Sequence, residues 1–473
     1  MATPERSRGD IPRVDRPNVW QRIWQPFWTL PLLIVVLAVV VGSVMPQVDD
    51  ALAGRLPLVF ESGPDGARSV LSTIASAMIS VTGLVFSVTM VVLQLASSSY
   101  TPRLMSGFLS SRMTQATLGV FAASFVYSLI VLRAVRGSNA EGDFFVPQLS
   151  VALAMLVVLA AVGMFIAFIH HIVTSIQVGT VLREIEGSTA RLIRQQFGEM
   201  GEGELGGFGP GWSPRPGDPS FRVTSGQRHG RIAYVDFPNL VELAEEHDVV
   251  ILLERDLGAH VAREQLLATV WGEVDEDRLR EERVGSGTRG GGAGSGSGAA
   301  GRDREISPDD AFAREVQRRI GIARDRSMMQ DIGFGFRQLL DIADRALSSG
   351  VNDPTTAIQA IDEIHSLLRL LAVRPTISPF IADGAGNVRV VHKPPAFTTL
   401  LERITVELAH YGASDPTVPP RLIAMLDDLA EIGRSEFQEA IADARAEVWQ
   451  LAEAQGTLPP AEGVARAAES TEA

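Results

Sequence analysis

Residues 69–101 read SVLSTIASAMISVTGLVFSVTMVVLQLASSSYT, and this stretch contains no charged side chain. Its length exceeds the roughly 20 apolar residues that cross the hydrocarbon core of a bilayer, so it predicts a transmembrane helix. Serine, threonine and glutamine nevertheless recur throughout the stretch. A membrane helix of this kind raises the question of what its hydroxyl groups contact.

The polar side chains concentrate on one side when the segment is drawn as a helix with about 100° per residue. Within a sector of about 80° lie small or polar residues that we call the polar stripe: Ser69, Ser72, Ser76, Ser80, Gly83, Ser87 and Gln94. Two interpretations stay open. Small residues let helices pack closely and share hydrogen bonds, which is their commoner use in membranes. Alternatively, the stripe lines a water-filled path between subunits, where hydroxyl oxygens replace the hydration shell of an ion.

Three further apolar segments predict membrane spans, at 28–45, 116–132 and 146–173, while the stripe-bearing span lies within 70–95. None of the four predicted spans contains Asp, Glu, Lys or Arg. Because ionisable side chains inside the membrane mark proton relays and charge-coupled transporters, this pattern argues against both.

Arginine sets the predicted orientation. The N-terminal tail is rich in arginine, and the loop after the second span carries Arg103 and Arg112 without an acidic residue. Loops with an excess of basic residues stay in the cytoplasm. The sequence therefore predicts a multi-pass protein of the bacterial inner membrane, with a cytoplasmic N-terminus and a cytoplasmic C-terminal half.

The predicted fold class is an α-helical integral membrane protein with four transmembrane helices and a cytoplasmic α+β half. The predicted organisation is a tail with an interfacial tryptophan anchor at 1–27, the four-span domain at 28–177, a helical extension with a Gly/Pro-rich loop at 178–229, a small β-rich unit at 230–283, a Gly/Ser-rich flexible linker at 284–306, a helical domain at 307–457 and a disordered tail at 458–473.

Composition excludes several classes of function. The chain has 473 residues, 46% of them hydrophobic, no cysteine, and a net charge of −14. An acidic chain lacks the basic footprint that binds nucleic acid. Without cysteine there are no disulfides or thiolate metal sites, and the eight histidines show no ligand spacing. We therefore predict no catalytic residue, no metal and no cofactor.

The helical domain contains the motif SSGVNDPTTA at 348–357. Asp353 is a suitable N-cap, Pro354 suits the first position of a helix, and Gly350 is a suitable end for the preceding helix. A structural turn explains most of the motif. The alternative is a helix N-terminus that binds an anion or another ligand. Its candidate residues are Asn352, Asp353, Thr355 and Thr356, with Asp331 as an additional carboxylate.

Residues 334–348 predict an amphipathic helix. Its apolar residues share one face, and Arg337, Asp341 and Arg345 form a ladder at four-residue spacing on the opposite face.

Two stretches resemble a known family. GLVFSVTMVVLQLASSSYTPRLMSGFLSSRMTQATLGVFAASFVYSLIVLRAV at 83–135 and DIGFGFRQLLDIADRALSSGVNDPTTAIQAID at 331–362 resemble the bacterial family of predicted integral membrane proteins called domain of unknown function 2254. The resemblance covers most of the chain. It implies an inner-membrane protein with a cytoplasmic C-terminal half, and it implies no reaction, substrate or site residue.

Three functions remain. The first is an oligomeric pore or permeation protein, favoured by the four spans, the polar stripe and the lack of catalytic motifs. The second is a membrane-anchored scaffold or ligand sensor, in which the C-terminal half binds a small ligand or a protein. A membrane enzyme is least favoured. The expected partners are the lipid bilayer and further copies of the same chain.

Overall fold

The computed structural model describes residues 27–52, 63–99, 111–136, 145–175, 177–197, 211–215, 217, 220–274 and 308–458. The tail at 1–26, the loop at 100–110, the Gly/Ser-rich stretch at 284–306 and the tail from 459 lie outside these residues. The chain divides into an N-terminal unit, Arg16–Val181, and a C-terminal unit, Leu182–Ala473.

Four long apolar helices form the N-terminal unit: α1, Thr29–Leu52; α2, Pro64–Ser99; α3, Arg112–Ala134; and α4, Gln148–Ser175. Each is long and apolar enough to cross a membrane. They correspond to the four predicted spans, and each continues beyond the predicted C-terminal end of its span. The end of α1 therefore includes Asp49 and Asp50, which the sequence had placed in a loop.

Helix α3 is the central helix of this unit. In its most apolar 18-residue stretch 50% of the residues are buried, against 11–17% in the corresponding stretches of the other three helices. Glycine lets α1 approach it, since a Cβ at Gly119 would lie 2.7 Å from Ile34 and 3.1 Å from the backbone of Pro31. Phe121 packs with side chains of α2 and α4, including Val85 and Phe168. The other three helices therefore present wide apolar faces outward, as in a membrane protein.

The C-terminal unit contains most of helix α5, Val178–Phe197, and combines two sheets with several helices. Its strands are β1, Ser220–Thr224; β2, Gly230–Val235; β3, Val250–Leu253; β4, His260–Val261; β5, Leu266–Trp271; β6, Ile320–Ala323; β7, Phe380–Ala382; and β8, Val388–Val391. The five-stranded sheet has the order β1-β5-β3-β8-β7, and the three-stranded sheet has the order β4-β2-β6. Only β3 and β8 pair in parallel among these strands.

The helices of this unit lie between and after the strands. They are α6, Phe237–Glu246; α7, Pro308–Arg319; α8, Ile332–Leu347; α9, Pro354–Ala372; α10, Phe397–Gly412; α11, Val418–Ile432; and α12, Gln438–Ala454. A short 3₁₀ turn, Ser435–Phe437, precedes α12.

The two sheets contain strands from both sides of the Gly/Ser-rich stretch. β6 pairs with β2, and β8 pairs with β3. The structure thus differs from an organisation with a β-rich part at 230–283 and a helical part at 307–457, because both parts contribute to one core in which Phe312 and Val390 pack with Ile251. Strand β1 lies within the segment at 178–229, for which only a helical extension and a Gly/Pro-rich loop were predicted.

Ser307 as a cap and Pro308 as the first helical position predict a helix that continues to about Ile322, and its predicted end is wrong. The helix ends at Arg319, and β6 follows at once. Ile320 and Ile322 pair with Val235 and Ile232 of β2. Branched isoleucines fit a half-buried sheet surface well, and the pairing with β2 overrides the local helical pattern.

Candidate functional sites

The polar stripe lies on the outer face of α2. All seven of its residues are exposed on the single chain, whereas Leu71, Val85 and Val92 on the opposite face are buried. The two faces are therefore distinct, and the unit's own core does not use the stripe.

Large apolar side chains border the stripe on both sides. Ile79 and Phe86 lie along one edge and Leu84 and Val91 along the other, each 50–55% exposed. Between them the small residues form a shallow groove along the helix. This arrangement of a small-residue groove between apolar ridges is suited to close approach by another helix.

The hydroxyls of the stripe make few hydrogen bonds. Ser80 Oγ donates to the backbone oxygen of Ser76 at 2.9 Å. No hydrogen bond joins the side chains of Ser72, Ser76 or Ser87 to another group of the residues that the structure describes. By contrast, Thr82 Oγ1 donates to its own helix at 2.6 Å on the inner side.

The turn between α8 and α9 is built around Asp353. Its carboxylate accepts from the backbone N–H of Thr356 at 3.1 Å and from the Thr356 hydroxyl at 2.6 Å. These hydrogen bonds lower the pKa of Asp353. Thr355 is exposed on the first turn of α9. The carboxylate that could bind a ligand is thus occupied by the N-terminus of its own helix.

The prediction that Gly350 ends the preceding helix is wrong. The C-cap of α8 is Ser348, and the left-handed conformation falls on Asn352, with φ of 50°. Asparagine tolerates this conformation better than most side chains. The Asn352 N–H donates to Ser348 O at 2.9 Å, which closes the turn.

Asp331 does not join this turn. It is the N-cap of α8, accepting from the Phe334 N–H at 3.1 Å, and it forms a two-point ion pair with Arg326 at 2.8 and 2.9 Å. Because α8 has 16 residues, its two ends lie roughly 24 Å apart. The structure therefore separates Asp331 from the other residues of the proposed ligand site.

A buried carboxylate that sequence reasoning missed ties α1 to α4. Asp49 accepts from the backbone N–H groups of Leu149 and Ser150 at 2.8 and 2.9 Å, and from the Ser150 hydroxyl at 2.6 Å. Tyr127 of α3 donates to Ser150 O at 3.0 Å. A negative charge at a helix N-terminus is favourable. The sequence shows Asp49 only as one of two adjacent aspartates, and nothing near it indicates a hydrogen-bond partner 100 residues away.

Helix α3 carries a second set of small polar side chains, and these point inward. Thr117 and Ser124 donate to the backbone of their own helix at 2.8 and 2.7 Å. The hydroxyls of Thr114 and Ser128 are buried without a hydrogen-bond partner among the described residues. The sequence contained these residues, but their spacing could not tell an inner face from an outer one.

Charged side chains also converge inside the C-terminal unit. Arg337 of α8 contacts Asp341 and Asp344 on its own helix and Glu407 on α10. Arg337, Asp341 and Arg345 were predicted to lie on the polar face of the helix. This prediction is wrong for Asp341, which is buried. In the described ranges, no group of three His, Asp or Glu side chains is placed to hold a metal ion.

Four apolar helices followed by an α+β unit place the chain in the class of predicted multi-helix membrane proteins. The family model of the predicted membrane proteins DUF2254 matches residues 24–428, and the chain belongs to that family. This confirms the resemblance seen in the sequence.

Mycobacterial proteins are similar over most of their length. A protein of Mycobacterium bovis and one of Mycobacterium tuberculosis strain H37Rv are each 30% identical over 406 residues, covering 85% of this chain and 71% of theirs. A protein of M. tuberculosis strain CDC 1551 is 29% identical over the same length. All three are described as uncharacterized proteins. No solved structure matches the chain.

Proposed function

We propose that the protein is an oligomeric permeation protein whose subunits meet along the polar stripe of α2. The observation that supports this proposal is the exposure of all seven stripe residues on the single chain. Lipid offers a hydroxyl no partner other than its own helix backbone, so a polar face within the membrane favours protein or water. The stripe would then line a path between subunits.

The chemistry of such a path follows from the residues. Serine hydroxyls at Ser72, Ser76 and Ser80 recur every fourth residue, which places one polar group per turn along the axis. Hydroxyl oxygens can replace part of the hydration shell of a small ion or solute. No charged residue belongs to the stripe, so we expect weak charge selectivity.

The orientation and the role of the C-terminal unit belong to the same proposal. From the distribution of arginine we place the N-terminus and the C-terminal unit in the cytoplasm and the protein in the bacterial cell membrane. The start of α2, near Ser69, then faces the outside of the cell. The C-terminal unit would assemble the subunits or regulate the path.

Single cysteines test the path, because the natural chain contains none. Cysteines at Ser76, Ser80 and Ser87 should crosslink between subunits and react with a small membrane-impermeant thiol reagent. Leu159→Cys is the matched control, since Leu159 lies on the outer face of α4 and is 73% exposed. It should do neither.

The outcomes separate the competing functions. Crosslinking without reaction would reject the path but keep the assembly, and would favour the scaffold or sensor. Equal behaviour at the stripe and at Leu159 would reject both assembly and path. In intact cells, reaction of Ser69→Cys with the impermeant reagent is expected, and its absence would contradict the orientation.

A further inference from the structure

One arginine between α8 and α10 is surrounded by three carboxylates. The Arg337 Nη1 group donates to both oxygens of Glu407 at 2.6 and 2.7 Å, and Nη2 donates to Asp344 at 3.2 Å. The Nε group donates to Asp341. All four side chains are at most 23% exposed, so water screens their charges only partly. This interhelical cluster lies in the C-terminal unit.

The charges of the cluster do not balance when every group is ionised. The groups that act on Asp344 are Arg337 and Asp341 of its own helix and Glu407 of α10. Arg403, which is exposed on α10, acts on Glu407. Three carboxylates thus share one partly buried guanidinium, and like charges at this distance disfavour full ionisation.

A separate observation identifies Asp344 as the group that carries a proton. Its Oδ1 atom is buried and has no hydrogen-bond partner among the described residues. An ionised oxygen in that position would lose its solvation without compensation. A protonated oxygen instead has a hydrogen to donate, and the carboxylate of Glu407, which interacts with Asp344, is able to accept it.

The electrostatics of both groups agree with this assignment. Burial, followed by the hydrogen bond with Glu407 and its charge, raises the pKa of Asp344 to about 7. Burial acts to raise the pKa of Glu407 too, but hydrogen bonds from Arg337 and Asp344 outweigh it, and the net direction is downward. The opposite directions of the two pKa shifts fit a pair in which one carboxyl group holds the proton and its neighbour is ionised.

We propose that Asp344 and Glu407 share one proton near neutral pH and that this proton joins α8 to α10. Loss of the proton leaves two facing carboxylates and loosens the contact between the helices. The C-terminal unit would then respond to small changes of pH. This inference does not rest on the permeation path, since it concerns residues of the other unit.

The sign of the pH dependence follows from the raised pKa. The folded chain keeps a proton on Asp344 that the unfolded chain releases at its ordinary pKa of 3.8. The stabilisation is complete below that pH and is lost as the pH rises through about 7. The contribution of Asp344 to the stability of the C-terminal unit should therefore fall between those two values.

Thermal unfolding of the full chain in detergent, from about pH 4 to about pH 8, tests the proposal. Asp344→Asn keeps the shape and the hydrogen-bond donor but cannot ionise, so comparison with it isolates the contribution of Asp344 from groups of opposite sign such as His392, whose pKa burial lowers to about 4. The wild-type midpoint minus the Asp344→Asn midpoint should fall by several degrees over this range. Glu402→Gln removes an exposed carboxylate from the same helix α10 and should keep the wild-type pH dependence.

Infrared spectroscopy of the wild-type chain gives a second measurement that does not depend on a folded variant. We expect a protonated carboxylic acid band that disappears with an apparent midpoint near pH 7. Asp344→Asn, if folded, should lack this band, and Glu402→Gln should keep it. The proposal is overturned if the wild-type chain shows no such titration, or if Asp344→Asn keeps the wild-type pH dependence.

Discussion

Gly335 offers a sharp test of how α5 packs in the C-terminal unit. A Cβ at this position would lie 2.0 Å from Thr189 Oγ1, 2.7 Å from its Cγ2 and 2.9 Å from its Cβ. Thr189 is a fully buried residue of α5 whose hydroxyl donates to Ile185 O at 2.7 Å. The two helices therefore meet at a point where only glycine fits on α8.

The expected effect of Gly335→Ala combines two opposing terms. Alanine inside a helix is about 1 kcal/mol more favourable than glycine. Forcing a methyl group into a filled contact costs about 1–3 kcal/mol, and the 2.0 Å approach places this site at the upper end. We expect a net loss of about 1–2 kcal/mol. Gly187→Ala in α5 is the matched control, because a Cβ there meets nothing within 4 Å. It should stabilise the helix.

A double-mutant cycle with Thr189→Ala separates the clash from other effects. That change removes the two closest atoms and leaves only the Cβ, so Gly335→Ala should lose most of its penalty in this background. We expect a favourable coupling of at least about 1 kcal/mol. A chain with two units need not unfold in one step, so chemical unfolding in detergent should be followed by hydrogen exchange in peptides of α5 and α8. A coupling near zero, or stabilisation by Gly335→Ala as large as that by Gly187→Ala, would refute this packing.

Two further substitutions test the capping carboxylates, each measured as the change in unfolding free energy. Asp353→Ala should cost on the order of 1 kcal/mol and Asp353→Asn should largely preserve stability; an equal loss for both would show that the charge matters. A stable Asp353→Asn chain that loses function would instead favour the ligand site. Asp49→Ala should cost about 2–3 kcal/mol because it leaves buried donors of Ser150 unpaired, whereas its exposed neighbour Asp50→Ala should change stability by less than about 0.5 kcal/mol. Similar losses for the two would contradict the role of Asp49.

Local patterns were sufficient to predict the elements whose causes are local. The four apolar helices follow from uninterrupted apolar length, and the start of α9 follows from Asp353 and Pro354, since a cap and a first-turn proline act within a few residues. The end of α8 could not be placed in the same way. Gly350 and Asn352 both suit a helix end, and local preference does not decide between them; the structure has Asn352 in the left-handed conformation.

Contacts between residues far apart in the chain could not be predicted from the sequence, for a physical reason. β6 has only four residues, too few to show an alternating pattern, and its strand character depends on β2, which lies about 90 residues earlier. The interhelical charge cluster is a similar case. The sequence showed that Arg337 and Asp341 lie one turn apart, but Glu407 is 70 residues from Arg337, and its approach turns a surface ladder into a buried cluster.

Two apolar helices of the N-terminal unit show that the direction of hydroxyl groups matters more than their number. α2 and α3 both carry small polar residues along one face. Those of α3 are buried inside the unit, where Thr117 and Ser124 satisfy their hydroxyls on their own backbone. Those of α2 point away from the same core, on the face opposite Val85. Packing within one chain therefore accounts for the hydroxyls of Thr117 and Ser124 in α3 and does not use the polar stripe of α2, which is the reason for proposing that the subunits meet along α2.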